Sequence, residues 1–179
     1  MISKILLFLF HLAVIVNYIL FIRHSKSVDE TLNKLIPRRS SFGGQFKYLT
    51  HWNVWLQALF FVIALANDVF GTESRTKQGA SGIQKVRDFL FSSIAFPTGA
   101  FVTIAFWSIY LVDRKLIFPV ELDKFFPPIT NHMMHTTPLV SQILELLFVY
   151  HIQPKRFYGL RYGIKIAHIV LVKLHFHLL

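Results

Sequence analysis

Long apolar runs separated by short polar segments dominate this chain, and a helix needs roughly 20 mostly apolar residues to cross a hydrocarbon layer of about 30 Å. The first run, Ile5 to Ile22, is interrupted only by His11 and Asn17, follows Lys4 and closes on Arg23-His24-Ser25-Lys26. A cleaved signal peptide is the competing reading of that stretch. The run is long for a signal core and lacks a small-x-small cleavage pattern, so a retained span is favoured. Residues 23–47 are polar and basic, with Pro37 and Gly43-Gly44 as helix breakers.

A second span is expected from about Tyr48 to Val69, with Trp52 and Trp55 near its start as interfacial aromatics. A glycine-bearing polar loop over 71–87 leads to a third span, about Phe89 to Val112, in which Pro97 and Gly99 predict a kink. Residues 113–130 are too charged and proline-rich to span. Their apolar pieces, Leu116-Ile117-Phe118-Pro119 and Phe125-Phe126-Pro127-Pro128, are expected to lie at the interface. A fourth span is expected from about Asn131 to His151, then a basic hinge from Gln153 to Arg161 containing Pro154 and Gly159. The last stretch, Tyr162 to Leu179, is apolar but carries Lys165, His168, Lys173, His175 and His177, which makes it a weaker fifth candidate. The expected fold is an all-α polytopic transmembrane helix bundle, one integral-membrane unit over residues 1–179.

Composition agrees: 54% of the 179 residues are hydrophobic, 19 are Phe, and the mean hydropathy is +0.49. The net charge of +10 arises from Lys and Arg in the segments between runs, not from a dense basic block beside exposed aromatics. That pattern points to anionic lipid headgroups as the partner, not nucleic acid. The basic residues divide equally between the two sides implied by the spans, so the positive-inside rule does not orient the chain. With no cysteine, a disulfide, a thiolate zinc site and a cysteine nucleophile are all excluded.

Candidate chemistry gathers in two polar clusters at the mouths of apolar runs, Lys47-Tyr48-Leu49-Thr50 and Asn131-His132-Met133-Met134-His135-Thr136-Thr137. Spans two and four run in the same direction, so Thr50 and His135 are expected at N-terminal span ends on one side of the bilayer. A threonine hydroxyl is a weak nucleophile until a base takes its proton, and neutral imidazole suits that task. Unpaired N–H groups at the two helix starts would stabilise an oxyanion. Asn131, His132 or Thr136 is a candidate to orient the His135 ring, and the Leu116 to Phe126 segment a candidate guide for acyl chains.

Blander readings compete with these. Thr50 at a helix start also suits an N-cap. His132 and His135 share a helix face and suit a metal, although no third ligand stands at a diagnostic spacing and HExxH is absent. His51 points about 100° away from Thr50 on a helix and is expected to be interfacial. Glu145 is costly in a span, so it is expected to face the bundle, with Lys173 or a histidine as partner.

Taken in order, Gly43-Gly44 with Lys47-Tyr48-Leu49-Thr50, Ala95-Phe96-Pro97, Phe106-Trp107, Tyr110 with Asp113-Arg114, and Asn131-His132-Met133-Met134-His135-Thr136 form a specific set. Over roughly residues 42–160 the chain resembles the family of androgen-induced and androgen-dependent TFPI-regulating membrane proteins. The resemblance implies a multi-pass threonine hydrolase that cleaves fatty acid esters of hydroxy fatty acids, with Thr50 as nucleophile and His135 as base. It implies a lipid ester substrate, no cofactor or metal, and a location in the cell membrane or endoplasmic reticulum. From about Ile164 onward the resemblance ends, and the family's further spans do not follow, so a truncated or alternative C-terminus is expected over 164–179. Two other classes stay open: a non-catalytic membrane regulator, which a shortened tail favours, and a small transporter using Glu145 and the histidines. A transporter is expected to show internal repeats and several paired intramembrane charges.

Overall fold

A computed structural model describes residues 3–35 and 48–153, with side chains over 3–31 and 48–153. Among these residues there is no strand, and six α-helices carry the fold. They are α1 (Lys4–Leu35), α2 (Leu49–Phe70), α3 (Gly82–Leu90), α4 (Phe96–Asp113), α5 (Pro128–His135) and α6 (Thr137–Phe148). Gly43, Gly44 and Lys47, the basic hinge beyond Gln153, and the fifth candidate span lie outside the described residues.

Three segments are long and apolar enough to cross a membrane: Lys4–Thr31, Leu49–Phe70 and Gly82–Leu116. Their surfaces are inverted relative to a water-soluble protein. Leu6, Leu9, Val16, Leu59, Phe101 and Leu111 are exposed, while His11, Asn53, Gln57, Gln84, Arg87 and Glu145 are buried. A contiguous apolar exterior over a polar interior belongs in lipid, where polar side chains turn toward the bundle and pair there.

Three sequence expectations change. The first helix does not stop where the apolar run stops but continues to Leu35. Hydropathy marks where lipid contact ends, and no proline interrupts the helix before Pro37. The third span is a longer helical rod, α3 followed by a π turn at Phe91–Ala95 and then α4. Its start is set by Ser81, whose side chain accepts from the Gln84 N–H at 3.2 Å. The expected irregularity at Pro97 appears one turn earlier, as the π turn. Pro97 has no N–H for the Ser93 carbonyl and its ring crowds that carbonyl, so the turn widens and the Phe96 N–H reaches Phe91 O instead.

The third correction concerns the fourth span. Residues 131–151 do not form one helix: α5 ends at His135, and α6 starts at Thr137 with Pro138 in its first turn. At Pro138 the missing N–H removes a helical bond to Met134, whereas in a new first turn that N–H has no partner to lose. With 12 residues α6 is an apolar helix below spanning length, and it packs with α5 against α2 and α4.

Buried amides hold the middle of the bundle. Gln57 on α2 donates to Asn53 Oδ1 at 3.0 Å and to the Ala95 carbonyl at 2.9 Å, and its own carbonyl accepts from Gln142 on α6. Gly99 allows this approach, because a Cβ there would lie 2.9 Å from Gln57 Nε2 and 3.5 Å from Pro138 O. Gln57 is pinned by its hydrogen bonds and cannot swing aside. Gly99→Ala is therefore expected to destabilise the protein by about 1–3 kcal/mol, read as a lower thermal unfolding midpoint in detergent.

Candidate functional site

The bundle has two polar ends. At one end, the C-terminal part of α1, the start of α2, the middle of α4 and the end of α5 surround a cavity of about 650 Å³. Both Thr50 and His135 line it. Thr50 sits in the first turn of α2, whose N-cap Tyr48 has extended backbone and makes no side-chain capping bond. The first turn of α2 therefore carries no side-chain cap from Tyr48, and its His51 N–H donates to the Tyr48 carbonyl at 3.1 Å.

His135 closes α5, immediately before the break at Thr136, and is not at the start of a span as expected. Thus α2 contributes a helix start to the cavity lining, whereas the start of α5 lies two turns before His135 and the start of α6, at Thr137, lines the smaller cavity. The ring of His135 lies flat on Phe106, with centroids 3.4 Å apart and planes 6° apart. Phe106 in turn meets Phe118 edge-on at 6.3 Å. His135 Nδ1 has no hydrogen-bond partner among the described residues. No hydrogen bond joins Thr50 to His135 among those residues either, and hydroxyl–imidazole pairs commonly tighten only when substrate is bound.

Neither His132 nor Thr136 orients His135. They bond each other, His132 Nδ1 to Thr136 Oγ1 at 2.9 Å, and Trp107 Nε1 donates to the same hydroxyl at 3.1 Å. His132 lines a different, smaller cavity with Thr136 and Ser141, so the two motif histidines open onto separate spaces. The aromatic stack with Phe106, 29 residues upstream, fixes the ring, and nothing in the local spacing signals it.

The cavity is amphipathic. Ile117, Phe118, Leu122 and Phe126 form an apolar wall, the segment expected to guide acyl chains. Phe101 lines it too while being 57% exposed, so the cavity reaches the lipid-facing side of α4. Asp29 and the exposed Glu121 give it a polar rim.

His51 is a further correction. Instead of lying at the interface it lines the cavity, and its Nε2 is 2.9 Å from Ser25 Oγ on α1. The extension of α1 past its apolar run makes this contact, which is why a reading that ended the span at Ile22 missed it.

At the other end of the bundle lies a buried chain of ionisable groups. His11 bridges Asp68 at 2.6 Å and Glu145 at 2.8 Å; Glu145 also meets His151 at 3.3 Å, and His151 meets Asp88 at 3.0 Å. Arg87 pairs with Asp88 at 2.9 Å and with Glu73, and donates to the Tyr150 carbonyl at 3.2 Å. Glu145 is 0% exposed and has histidine partners, as a carboxylate within a membrane bundle requires. Lys173, the other expected partner, lies outside the described residues.

The family model described as FAR-17a/AIG1-like protein matches residues 6–178. The chain belongs to this family. Among its relatives, the androgen-dependent TFPI-regulating protein of Mus musculus is 36% identical over 151 residues, covering 84% of this chain and 64% of its own length. The androgen-induced gene 1 protein of Homo sapiens is 32% identical over 156 residues, covering 83% of this chain and 63% of its own length. A membrane protein of Schizosaccharomyces pombe is 27% identical over 116 residues, covering 65% of this chain and 48% of its own. The chain thus spans less than two thirds of the length of the curated relatives it matches. No solved structure matches it. Family membership and the lipid-facing helices together make this FAR-17a/AIG1-like chain an integral, multi-pass membrane protein.

Proposed function

We propose that this FAR-17a/AIG1-like chain is a membrane-embedded hydrolase of fatty acid esters of hydroxy fatty acids. The supporting observation is that Thr50, from the start of α2, and His135, from the joint between α5 and α6, line one amphipathic cavity although they are far apart in sequence. The substrate joins two acyl chains and partitions into lipid, so a cavity with an apolar wall, a lipid-facing edge and a polar rim suits it.

In the proposed reaction, Thr50 Oγ1 attacks the ester carbonyl while its proton passes to His135. The tetrahedral oxyanion is stabilised by the N–H groups of Leu49 and Thr50 at the start of α2. Collapse expels the alkoxide of the hydroxy fatty acid, which takes the proton from His135, and leaves an acyl-threonine ester. Water then attacks that ester with His135 again accepting a proton, freeing the fatty acid and restoring the threonine. The imidazole starts each half-reaction neutral, and its flat packing on Phe106 holds it in one plane.

The test is hydrolysis of a fatty acid ester of a hydroxy fatty acid by membranes carrying the chain, compared with Thr50→Ala at equal protein level. Activity in the unmodified chain and none above background in the variant is the expected result. A Thr50→Ala chain that hydrolyses the ester at the unmodified rate removes Thr50 from the mechanism.

A further inference from the structure

Thr50 and His135 do not account for all the hydroxyl and imidazole chemistry in the cavity. Ser25 and His51 also line it, 2.9 Å apart from Oγ to Nε2, a normal hydrogen-bond length for a hydroxyl on an imidazole. Ser25 is buried on α1, and His51 follows Thr50 on α2. The rings of Phe21 and Tyr48 lie 6.1 Å and 6.4 Å from the His51 ring, each tilted against it. Asp29, one helical turn after Ser25, lines the same cavity. His51 Nδ1 has no hydrogen-bond partner among the described residues. A hydroxyl already bonded to an imidazole, in a space large enough for a substrate, is the geometric signature of an activated nucleophile.

We propose that Ser25 and His51 form a second nucleophile–base pair in this cavity, acting on carboxylic esters of long acyl chains. With its proton on Nδ1, His51 accepts the Ser25 O–H at Nε2. As Ser25 Oγ bonds to the ester carbonyl carbon, the hydroxyl proton moves to Nε2. The carbon–oxygen bond to the alcohol then breaks, and the leaving alkoxide takes that proton. Water attacks the acyl-serine, gives its proton to His51, and releases the carboxylic acid as the proton returns to Ser25 Oγ. This inference shares with the proposed function the premise that the cavity admits an acyl ester, but it does not depend on Thr50 acting as a nucleophile.

The experiment treats membranes containing the full chain with a long-chain alkyl fluorophosphonate, which loses fluoride to an activated hydroxyl, and locates the adduct by peptide mass spectrometry. The expected result is an adduct on Ser25 in the unmodified chain that persists in Thr50→Ala and falls at least roughly tenfold in His51→Gln. Labelling of Thr50 alone, or Ser25 labelling equal with and without His51, overturns the proposal. Absence of a Thr50 adduct in the unmodified chain bears on the first pair only, so the two readings fail separately.

A second measurement guards against a misfolded His51 variant. The chain has no cysteine, so Ser25→Cys supplies its one thiol. Alkylation of that thiol by a long-chain iodoacetamide is expected to be roughly tenfold faster with His51 present than in the Ser25→Cys, His51→Gln double variant, because a neighbouring base raises the thiolate fraction. Equal rates overturn the pairing.

Discussion

Replacing His135 with Ala is expected to lower ester hydrolysis by about 10²–10⁴-fold, the usual worth of a positioned general base, while the protein stays folded. The ring makes no hydrogen bond at Nδ1 among the described residues and rests on Phe106. Its loss therefore removes a stacking contact of about 0.5–1.5 kcal/mol plus some buried area and leaves no charge unpaired. Phe106→Leu is the informative companion. It keeps the wall apolar but removes the flat surface that fixes the imidazole plane, and a base misplaced by about 1 Å costs up to about 10²-fold. Both variants are read as rates at equal folded protein, checked by unfolding midpoint. If His135→Ala hydrolyses at the unmodified rate, the base lies elsewhere, and His51 is the next imidazole on the cavity wall.

Arg87→Met is expected to cost about 3–5 kcal/mol of stability, the range for breaking one side of a buried ion pair. Arg87 is among the largest fully buried side chains, and it serves three acceptors at once: Asp88, Glu73 and the Tyr150 carbonyl. Glu73 is 38% exposed and can turn to solvent, but Asp88 is buried and among the described residues would keep only His151 and the Ile152 N–H as partners. Methionine fills the space of the aliphatic stem, so the loss measured is that of the guanidinium. For a chain of this size the drop in unfolding midpoint is about 10 °C, measured by thermal unfolding in detergent. Arg87→Lys is expected to recover little, because one ammonium cannot reproduce a fork that reaches two carboxylates and a carbonyl. An unchanged midpoint in Arg87→Met would show that the cluster contributes nothing net to stability.

Much of the fold was legible along the chain because hydropathy is a local property. The second helix begins and ends within a residue of its apolar run, and Glu145 has the histidine partners that a carboxylate buried in the bundle demands. Breaks were harder to read, since a proline can sit harmlessly in a first turn or interrupt a helix, and neighbouring residues decide which. Pro138 starts a new helix, and the irregularity tied to Pro97 falls one turn before it.

The candidate site divides the same way. Thr50 and His135 stood out because a hydroxyl and an imidazole at the mouths of two apolar runs are the raw parts of a nucleophile and its base. Phe106 and Ser25 did not, because a phenylalanine in a span and a serine in a basic segment are ordinary where they stand.

By itself the sequence determined the medium, the helical class, the extent of the second helix and the two polar clusters, since each follows from side chains a few residues apart. Only the tertiary structure decided that Thr50 and His135 share one cavity, that Phe106 orients the histidine, that Ser25 meets His51, and that His11, Glu145, His151 and Asp88 link into one buried chain. Those contacts depend on the rotation of each helix about its axis and on its depth against its neighbours. Both are set by packing across the whole bundle and by no residue alone.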